Sequence, residues 1–535
     1  MRHEATLLHE LPLLSAQRSP DAPALHDPAS TLSYGELARR IGQFASALAA
    51  LNVQRGERVG IYLDKRVETV VASFGAPAHG AVFVPINPLL KGDQVGHILR
   101  DCSVRVLVTS SERLRALEPV LAQCPELDHV IVCGPASERH AAAASTRFTV
   151  HDWSEVLDAP ARGGHRVIDT DMLAILYTSG STGKPKGVVL SHRNMVAGAK
   201  SVASYLENRE SDVLLAALPL SFDAGFSQLT TAFHAGASVV LLNYLLPVDV
   251  VKAAMRHRVT GITAVPPLWI QLAQLQWPQG AADTLRYFAN TGGRMPLETY
   301  RRLRALLPGA KPYLMYGLTE AFRATYLPPE EADRRPDSIG RAIPNSEVLV
   351  LRPDGSECDD DEPGELVQRG ALVAQGYWND PQKTAERFRP LPGREGGLVL
   401  PEMAVFSGDT VRRDAQGFLY FIGRRDEMIK SSGYRISPSE VEEVLYASGL
   451  VGECAVYGVP HEAWGEAVAV VVTAREGVDV DIATLQTLCR EKLPAYMVPA
   501  FLSLREGPLP RNANGKIDRK AIGAEHRLAR EGVAP

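Results

Sequence analysis

The stretch from Tyr177 to Gly187 constrains this chain more than any other part of its sequence. It reads YTSGSTGKPKG and combines three glycines, two lysines and four hydroxyl side chains. Glycines let the main chain approach phosphate oxygens closely, while the hydroxyls and lysines supply donors and positive charge. The apolar run Met172–Tyr177 that leads into it is typical of a short buried strand. The pattern therefore predicts a loop that leaves a strand end and binds a polyphosphate.

This loop does not match the Walker A pattern. That pattern, G-x-x-x-x-G-K-[ST], runs into a helix, whereas Gly183 and Lys184 are followed here by Pro185. The mononucleotide-binding fold that carries a Walker A loop is therefore not expected. Taken alone, the composition is equally typical of a mobile surface loop, and other motifs of the chain must decide between the two interpretations.

The length indicates several domains, and the composition argues against binding of a partner through overall charge. A chain of 535 residues is too long for one core, so two to four domains or subdomains are expected. With 57 Lys and Arg against 62 Asp and Glu, the net charge of -5 argues against nucleic acid or a membrane surface as partner. The six cysteines lack C-x-x-C spacing, and the sequence shows neither a signal-peptide pattern nor a long apolar run. We therefore expect a soluble cytoplasmic protein without membrane insertion.

Helix and strand patterns alternate through the first part of the chain. This alternation predicts parallel or mixed sheets with crossover helices, that is, an α/β fold. The predicted helices are Tyr34–Leu51 and Val67–Gly80, and the predicted strands are Arg58–Leu63, Val82–Pro85, Val106–Val108, His129–Cys133, Val239–Leu242 and Gly261–Val265.

The patterns change in the last third of the chain. Short strands separated by Gly, Asp and Pro turns predict a small barrel-like subdomain over about 345–422, within a large N-terminal domain of residues 1–422. A hinge is predicted at 423–428, followed by a small, mobile α+β domain at 429–535. The predicted elements of that domain are helices Ser439–Ser448 and Ile482–Leu493 and strands Glu453–Tyr457 and Ala467–Ala474.

Four further segments follow the glycine-rich loop in order. They are Tyr316–Glu320 (YGLTE), Ser407–Asp409 (SGD), Gly423–Arg435 (GRRDEMIKSSGYR) and Asn514–Arg519 (NGKIDR). With the loop, they resemble the adenylate-forming superfamily of acyl-CoA synthetases, peptide-synthetase adenylation domains and luciferases over nearly the whole chain. More narrowly, Val213–Pro329 and Asp426–Pro438 resemble acyl-CoA ligases associated with bacterial exosortase systems.

The resemblance implies an AMP-forming carboxylate ligase. Such enzymes use ATP and Mg²⁺ to convert a small-molecule carboxylic acid to an acyl-adenylate with release of pyrophosphate, and then pass the acyl group to a thiol or an amine. A carboxylate is a poor electrophile and repels the phosphates, so the site must neutralise charge and align both reactants.

The resemblance also assigns the nucleotide contacts. Glu320 would bind Mg²⁺ through its carboxylate, and Thr319 beside it would contact phosphate. Asp409 would bind the ribose hydroxyls, Arg424 would add a ribose or phosphate contact, and Tyr316 would lie against adenine. The whole implied nucleotide-binding set is Thr178, Ser179, Gly180, Ser181, Thr182, Gly183, Lys184, Lys186, Gly292, Gly293, Arg294, Tyr316, Gly317, Thr319, Asp409 and Arg424.

Three residues in the last quarter of the chain have roles in the implied catalytic cycle. Lys516 resembles the mobile lysine that bridges the substrate carboxylate and the α-phosphate, and would act with Thr178 and Glu320. Lysine suits this role because it is a compact charge on a flexible stem. Asp426 occupies the hinge position, and Gly433 would leave room for a pantetheine arm after the small domain rotates.

The acyl side of the site is less determined. The acyl pocket is expected between Phe222–Gln228, Ala264–Trp269 and Asn290–Arg294, with Phe222, Asp223, Ser227, Trp269 and Arg294 as candidate contacts. Asp223 stands where amino-acid-activating relatives carry an aspartate that pairs with the α-ammonium, and a structural hydrogen-bonding role is an equal alternative. Trp269 is alternatively a core residue.

The acceptor is open to two interpretations. The segment at 430–438 resembles acyl-CoA synthetases, which favours CoA, whereas Leu493–Pro499 and Asn514–Arg519 resemble peptide-synthetase domains. The alternative is a ligase that passes an amino or keto acid to a carrier protein or directly to an amine. No carrier-domain pattern follows Lys516, so a thiol acceptor is expected from another molecule. A non-catalytic nucleotide sensor is a further class, disfavoured by Lys516, Glu320, Asp409 and Arg424 occurring together.

Overall fold

The computed structural model describes residues 4–28, 30–134, 147–178, 185–391, 401–424, 427–431, 434–461, 464–512 and 515–530. The strands are β1 Pro23–Asp27, β2 Ser30–Ser33, β3 Arg58–Tyr62, β4 Val82–Pro85, β5 Val104–Ser110, β6 His129–Cys133, β7 Thr149–Asp152, β8 Met172–Thr178, β9 Lys186–Ser191, β10 Val213–Ala216, β11 Ser238–Leu241, β12 Gly261–Ala264, β13 Tyr287–Asn290, β14 Lys311–Tyr316, β15 Thr325–Leu327, β16 Ser338–Ala342, β17 Ser346–Leu351, β18 Gly364–Gly370, β19 Gly376–Tyr377, β20 Phe388–Pro390, β21 Met403–Arg413, β22 Leu419–Arg424, β23 Ile429–Ser431, β24 Tyr434–Ile436, β25 Val451–His461, β26 Gly465–Ala474 and β27 Phe501–Leu504.

The helices connect these strands. They are α1 Glu10–Arg18, α2 Tyr34–Ala50, α3 Val67–His79, α4 Gly92–Asp101, α5 Ser111–Leu121, α6 Trp153–Leu157, α7 His192–Tyr205, α8 Asp223–Ala235, α9 Pro247–Arg256, α10 Pro266–Gln274, α11 Leu297–Leu306, α12 Pro329–Ala332, α13 Pro381–Arg387, α14 Pro438–Ala447, α15 Ile482–Lys492 and α16 Arg519–Arg530, with short 3₁₀ turns at Thr319–Ala321 and Ala495–Met497. The predicted helices and strands are each present, with ends that differ by a few residues.

The largest sheet has two parts. Strands β1, β11, β10, β12, β13 and β14 are parallel neighbours, linked by crossover helices. Beyond β14, strands β15, β16, β22, β21, β18 and β17 continue the same sheet in antiparallel pairs. This confirms the predicted change from parallel to antiparallel structure, although the antiparallel strands extend the first sheet instead of forming a separate one. The domain limits at 345, 422 and 428 stay predictions.

The second sheet contains the strands on either side of the glycine-rich segment. Its order is β19-β9-β8-β4-β3-β5-β6-β7, and the strands from β8 to β7 run parallel. Strand β9 is antiparallel to β8, with Thr178 opposite Lys186. Lys186 therefore begins a strand and not the helix that follows a Walker A loop, in agreement with the absence of that pattern.

The main apolar core joins the two sheets through helix α8. This helix lies against β10 and β11 of the first sheet, and the ring of its Phe226 stacks on Phe83 of the second sheet at a centroid distance of 5.0 Å. Phe74 of α3 stacks on the other side of Phe226 at 5.6 Å. Because α8 is buried along nearly its whole length, each polar side chain on it needs a partner inside the protein.

The C-terminal residues form a third sheet. Its order is β24-β23-β26-β25, with β27 parallel to β26. Helices α14 and α15 pack against one another around an apolar cluster that includes Val456 and Leu485. Ile270 of α10 joins this cluster, so the third sheet packs against the first part of the chain. Strand β25 extends well beyond the predicted Glu453–Tyr457 because its partner β26 continues the ladder to His461.

Two general expectations concern cysteines and membrane contact. All six cysteines are buried free thiols, as expected. Within the described ranges, every helix falls short of the length and apolar character needed to cross a bilayer.

Candidate active site

The candidate site lies where parallel strands of the first sheet end. Strands β12, β13 and β14 run into Val265, Thr291 and Gly317 at their carboxyl ends. Ligands of open α/β sheets bind at this edge, because the loops that follow the strands meet there. The structure thus brings together the predicted segments Ala264–Trp269 and Asn290–Arg294 with the YGLTE motif.

Lys516 reaches this edge from the C-terminal residues. A tight turn holds its backbone, since the amide of Asn512 donates to the Lys516 carbonyl at 2.8 Å and the Lys516 amide donates to Asn512 Oδ1 at 3.1 Å. Its Nζ lies 5.5 Å from the ring centroid of Phe222. Burial lowers the pKa of Lys516, and Asp223 is the strongest of the nearby charges that oppose this shift, with Asp409 also contributing. The ammonium therefore lies in a partly desolvated position where the charges of both aspartates act on it.

Gly292 makes room for this lysine. Its φ is +77°, a backbone conformation that favours glycine. A Cβ atom at this position would come within 3.0 Å of Lys516 Cε and 3.5 Å of Nζ. A side chain here would push Lys516 out of its position.

Asp409 lies at the predicted nucleotide side of the site. The hydroxyl of Tyr316 donates to Asp409 Oδ2 at 2.5 Å, and Nε of Arg424 lies 3.8 Å from Oδ1. Asp409 is 8% exposed, and its buried Oδ1 has no hydrogen-bond partner among the residues that the structure describes. Burial raises the pKa of Asp409, and Arg424 opposes this shift. A buried carboxylate oxygen without a donor suits a ligand that brings hydroxyl donors.

Glu320 lies where the two large sheets meet. It belongs to the 3₁₀ turn after β14, and the hydroxyl of Tyr377 in β19 donates to its Oε1 at 2.6 Å. Nζ of Lys186 lies 5.3 Å from the centroid of the Tyr377 ring. In the described part of the chain, no hydrogen bond or ion pair is found at Oε2 of Glu320. A carboxylate with one oxygen held by a hydroxyl and the other available fits a shared Mg²⁺ ion.

Asp223 has an arginine partner inside the protein. Its Oδ2 lies 3.6 Å from Nη1 of Arg323, and the two side chains are 4% and 2% exposed. Burial raises the pKa of Asp223, and the charge of Arg323 is the largest opposing influence. The positive charge that a buried aspartate requires is thus present without any substrate ammonium, which favours the structural alternative for Asp223.

A small cavity adjoins Arg323. Ser227 and Gln228 of α8 line it together with Arg323, Thr263 and Tyr287, and apolar side chains such as Leu214 and Met315 complete the lining. The predicted contact Ser227 is therefore at the cavity. Trp269 is fully buried in the apolar core, its indole Nε1 donates to the carbonyl of Ala289 at 3.1 Å, and it does not line this cavity. This position does not support the prediction that Trp269 lines the acyl pocket.

Arg294 faces the C-terminal residues. Its Nη2 lies 4.0 Å from Glu443 Oε2 of α14, and Glu443 Oε1 accepts the backbone amide of Leu297 at 2.9 Å. Its predicted roles with nucleotide and acyl group stay predictions. Several predicted site residues lie outside the described residues, namely Ser179, Gly180, Ser181, Thr182, Gly183, Lys184, Asp426 and Gly433.

Two residues at the site, Arg323 and Tyr377, were not predicted from the sequence, and Gln228 was predicted only as the end of the pocket segment Phe222–Gln228. Arg323 carries a usable signal, because a charged residue within the otherwise uncharged run from Ala321 to Tyr326 requires a buried partner. Tyr377 carries no such signal, since its role depends on a contact between elements distant in the sequence.

Comparison with known proteins identifies the family. The family model described as AMP-binding enzyme matches residues 14–378, and the model of its C-terminal domain matches residues 440–516. The chain belongs to the AMP-binding enzyme family. Among solved structures, the anthranilate CoA ligase AuaEII in complex with anthranoyl-AMP is 26% identical with a TM-score of 0.88, covering 98% of both chains. A benzoate CoA ligase from Burkholderia xenovorans LB400 is 25% identical with a TM-score of 0.84, covering 96% of this chain and 99% of that one.

Curated relatives within the AMP-binding enzyme family fall into two groups. Feruloyl-CoA synthase from an Amycolatopsis species is 31% identical and covers 95% of this chain and 96% of its own. L-proline--[L-prolyl-carrier protein] ligase from Pseudomonas fluorescens is also 31% identical and covers 97% and 99%. The chain spans only 6% and 10% of the linear gramicidin synthase subunits C and B of Brevibacillus parabrevis. These findings confirm the predicted superfamily, fold class and, at the level of the family, AMP-forming ligase class, while leaving the acceptor open.

Proposed function

We propose that this protein activates a carboxylic acid with ATP and transfers the acyl group to CoA. The observation that carries the proposal is the position of Lys516 at the carboxyl end of β13, where its Nζ lies 5.5 Å from the ring centroid of Phe222 and its side chain lies beside Gly292. A lysine in this position can contact a carboxylate and a phosphate at once.

In the first half-reaction, an oxygen of the acid attacks the α-phosphorus of ATP. The bond between the α-phosphorus and the bridging oxygen to the β-phosphate breaks, and pyrophosphate leaves. Lys516 neutralises charge between the two anions, so that they can approach in line. Asp409 and Tyr316 hold the ribose and adenine, and Thr178 and Lys186 hold phosphates together with the loop from Ser179 to Lys184.

Glu320, steadied by the Tyr377 hydroxyl, is the residue that would hold Mg²⁺. The ion supplies positive charge to the pyrophosphate leaving group.

In the second half-reaction, the thiolate of CoA attacks the acyl carbon of the adenylate. The thioester bond forms, the bond from that carbon to the phosphate oxygen breaks, and AMP leaves. Lys516 must withdraw to admit the thiol, and rotation about Asp426 that brings Gly433 to the site is the proposed route.

The alternative acceptor is a carrier protein or an amine. The equal identity to a CoA synthase and to a carrier-protein ligase supports keeping it. The neutralised charge of Asp223 favours an acid without an α-ammonium, and hence the CoA reaction.

The decisive experiment measures pyrophosphate release with ATP and Mg²⁺ over a panel of fatty, aryl, keto, hydroxy and amino acids, each with and without CoA. The proposal predicts turnover with an acid that lacks an amino group, stimulated by CoA and yielding the acyl-CoA. Turnover limited to amino acids, or an adenylate that CoA does not discharge, would support the alternative.

A further inference from the structure

The cavity is lined by two residues with buried polar atoms that lack partners. Among the described residues, Nε of Arg323 and Oε1 of Gln228 are buried without a hydrogen-bond partner, and both residues line the cavity. The residues are only 2% and 6% exposed. Unpaired buried polar atoms cost stability, so a ligand group that pairs with both atoms would be favoured here.

The cavity adjoins the position of the reacting carboxylate. Ala224, Ser227, Gln228 and Thr231 line it from one face of α8, as their spacing of three and four residues requires. The same helix begins at Asp223, next in sequence to Phe222, above whose ring Lys516 Nζ lies. A substrate whose carboxylate contacts Lys516 would direct its nearest substituent towards this cavity.

The chemistry of the unpaired atoms selects that substituent. Arg323 Nε can only donate, whereas Gln228 Oε1 can only accept. A hydroxyl group both accepts and donates, so it can pair with both atoms. An ammonium group would lie beside the Arg323 guanidinium, a second carboxylate could not donate to Gln228 Oε1, and a methyl group would leave both atoms unpaired.

The size of the cavity agrees with a hydroxyl group. The volume open to the centre of a water-sized sphere is about 10 Å³, which admits about one water-sized group. An aryl ring or a long alkyl chain would need neighbouring side chains to move.

We propose that this cavity receives a hydroxyl group of the substrate, and that the acid is a short hydroxy acid. The inference rests on the proposed adenylation reaction and names its substrate class. Arg323 and Gln228 are then the residues that determine specificity, and Asp223 orients Arg323 through their ion pair.

The test compares matched acids with the full-length protein. Pyrophosphate release with ATP and Mg²⁺ is measured for glycolate against acetate, lactate against propionate, and 3-hydroxybutyrate against butyrate, with alanine and succinate added. At least one hydroxy acid should exceed its matched acid and alanine in kcat/KM by about tenfold or more. Equal values within every pair, or preference for alanine or succinate, would overturn the hydroxyl proposal and leave adenylation standing. Failure of every acid in this and the wider panel would overturn both.

Variants of the lining residues test whether the preference for a hydroxy acid arises in the cavity. Arg323→Met and Gln228→Met should each reduce the ratio of kcat/KM between hydroxy acid and matched acid by about tenfold. Arg335→Met is the matched control, because Arg335 forms a similar ion pair with Asp414, at 2.6 Å, outside the cavity. Since Arg323→Met removes a buried charge, Gln228→Met provides the second test if that variant does not fold. If a folded cavity variant kept the wild-type ratio of kcat/KM between hydroxy acid and matched acid, the result would contradict the assignment of the hydroxyl site to this cavity.

Discussion

The nucleotide and acyl sides of the site each contain a buried aspartate beside an arginine, and they differ in the surroundings of the arginine. Asp409 lies 3.8 Å from Arg424, whose side chain is 40% exposed, whereas Asp223 lies 3.6 Å from Arg323, which is 2% exposed. In both aspartates, Oδ1 is buried and lacks a hydrogen-bond partner within the described ranges. The nucleotide side is thus open at its edge, and the acyl side is closed by a fixed ion pair. The difference indicates a site that exchanges a large, common ligand on one side and selects a small group on the other.

Substitution of Lys516 is expected to have the largest effect on activity. Lys516→Ala should lower acid-dependent pyrophosphate release by about a hundredfold to a thousandfold, because the charge between carboxylate and α-phosphate is lost. ATP affinity should change little, as measured by equilibrium binding. Lys520→Ala, which removes an exposed lysine four residues away, is the control. Unchanged pyrophosphate release in Lys516→Ala would refute the catalytic role of Lys516.

The two arginines should differ in their contribution to stability. Arg323→Met should lower the free energy of unfolding by about 3 kcal/mol, because it removes the positive charge that most stabilises the buried Asp223 carboxylate. Arg424→Met should lower it by about 1 kcal/mol or less, because Arg424 is partly solvated. Urea titration followed by tryptophan fluorescence measures both. Addition of Asp223→Asn to Arg323→Met should recover part of the loss, and equal effects of the two arginine variants would remove the distinction between the sides.

The two sides also differ in how far the sequence determines them. Asp409, Tyr316, Glu320 and Lys516 belong to short motifs, and the resemblance of these motifs to a known family implies one site, so their proximity could be predicted. The fold class and most element positions follow from periodicity. The acyl side depends on where α8 lies relative to Arg323, which tertiary packing decides. The sequence therefore left two roles open for Asp223 and for Trp269, and packing places Trp269 in the core.

Substitution of each aspartate should affect a different substrate. Asp409→Ala should lower kcat/KM for ATP by about tenfold to a hundredfold, because ribose hydroxyls lose a charged acceptor. Asp223→Ala should leave the KM for ATP near its original value and lower kcat/KM for the preferred acid by a similar factor. Steady-state kinetics with each substrate varied in turn separates the two. A loss confined to ATP in both variants would place Asp223 on the nucleotide side.

The smallest expected effect is a difference in pH dependence. Burial raises the pKa of Asp409 and of Asp223, and in each case the nearby arginine opposes the shift. As pH falls through these raised pKa values, each carboxylate gains a proton and loses acceptor capacity. The kcat/KM for ATP should therefore fall at a higher pH than for an ordinary aspartate, and Asp409→Asn should remove this decline while Asp223→Asn keeps it. ATP itself gains a proton in acid, but it does so equally in all three proteins, so the difference between the profiles reports the aspartate. If kcat/KM for ATP declined at low pH in Asp409→Asn as it does in the wild-type protein, a group other than Asp409 would control that decline.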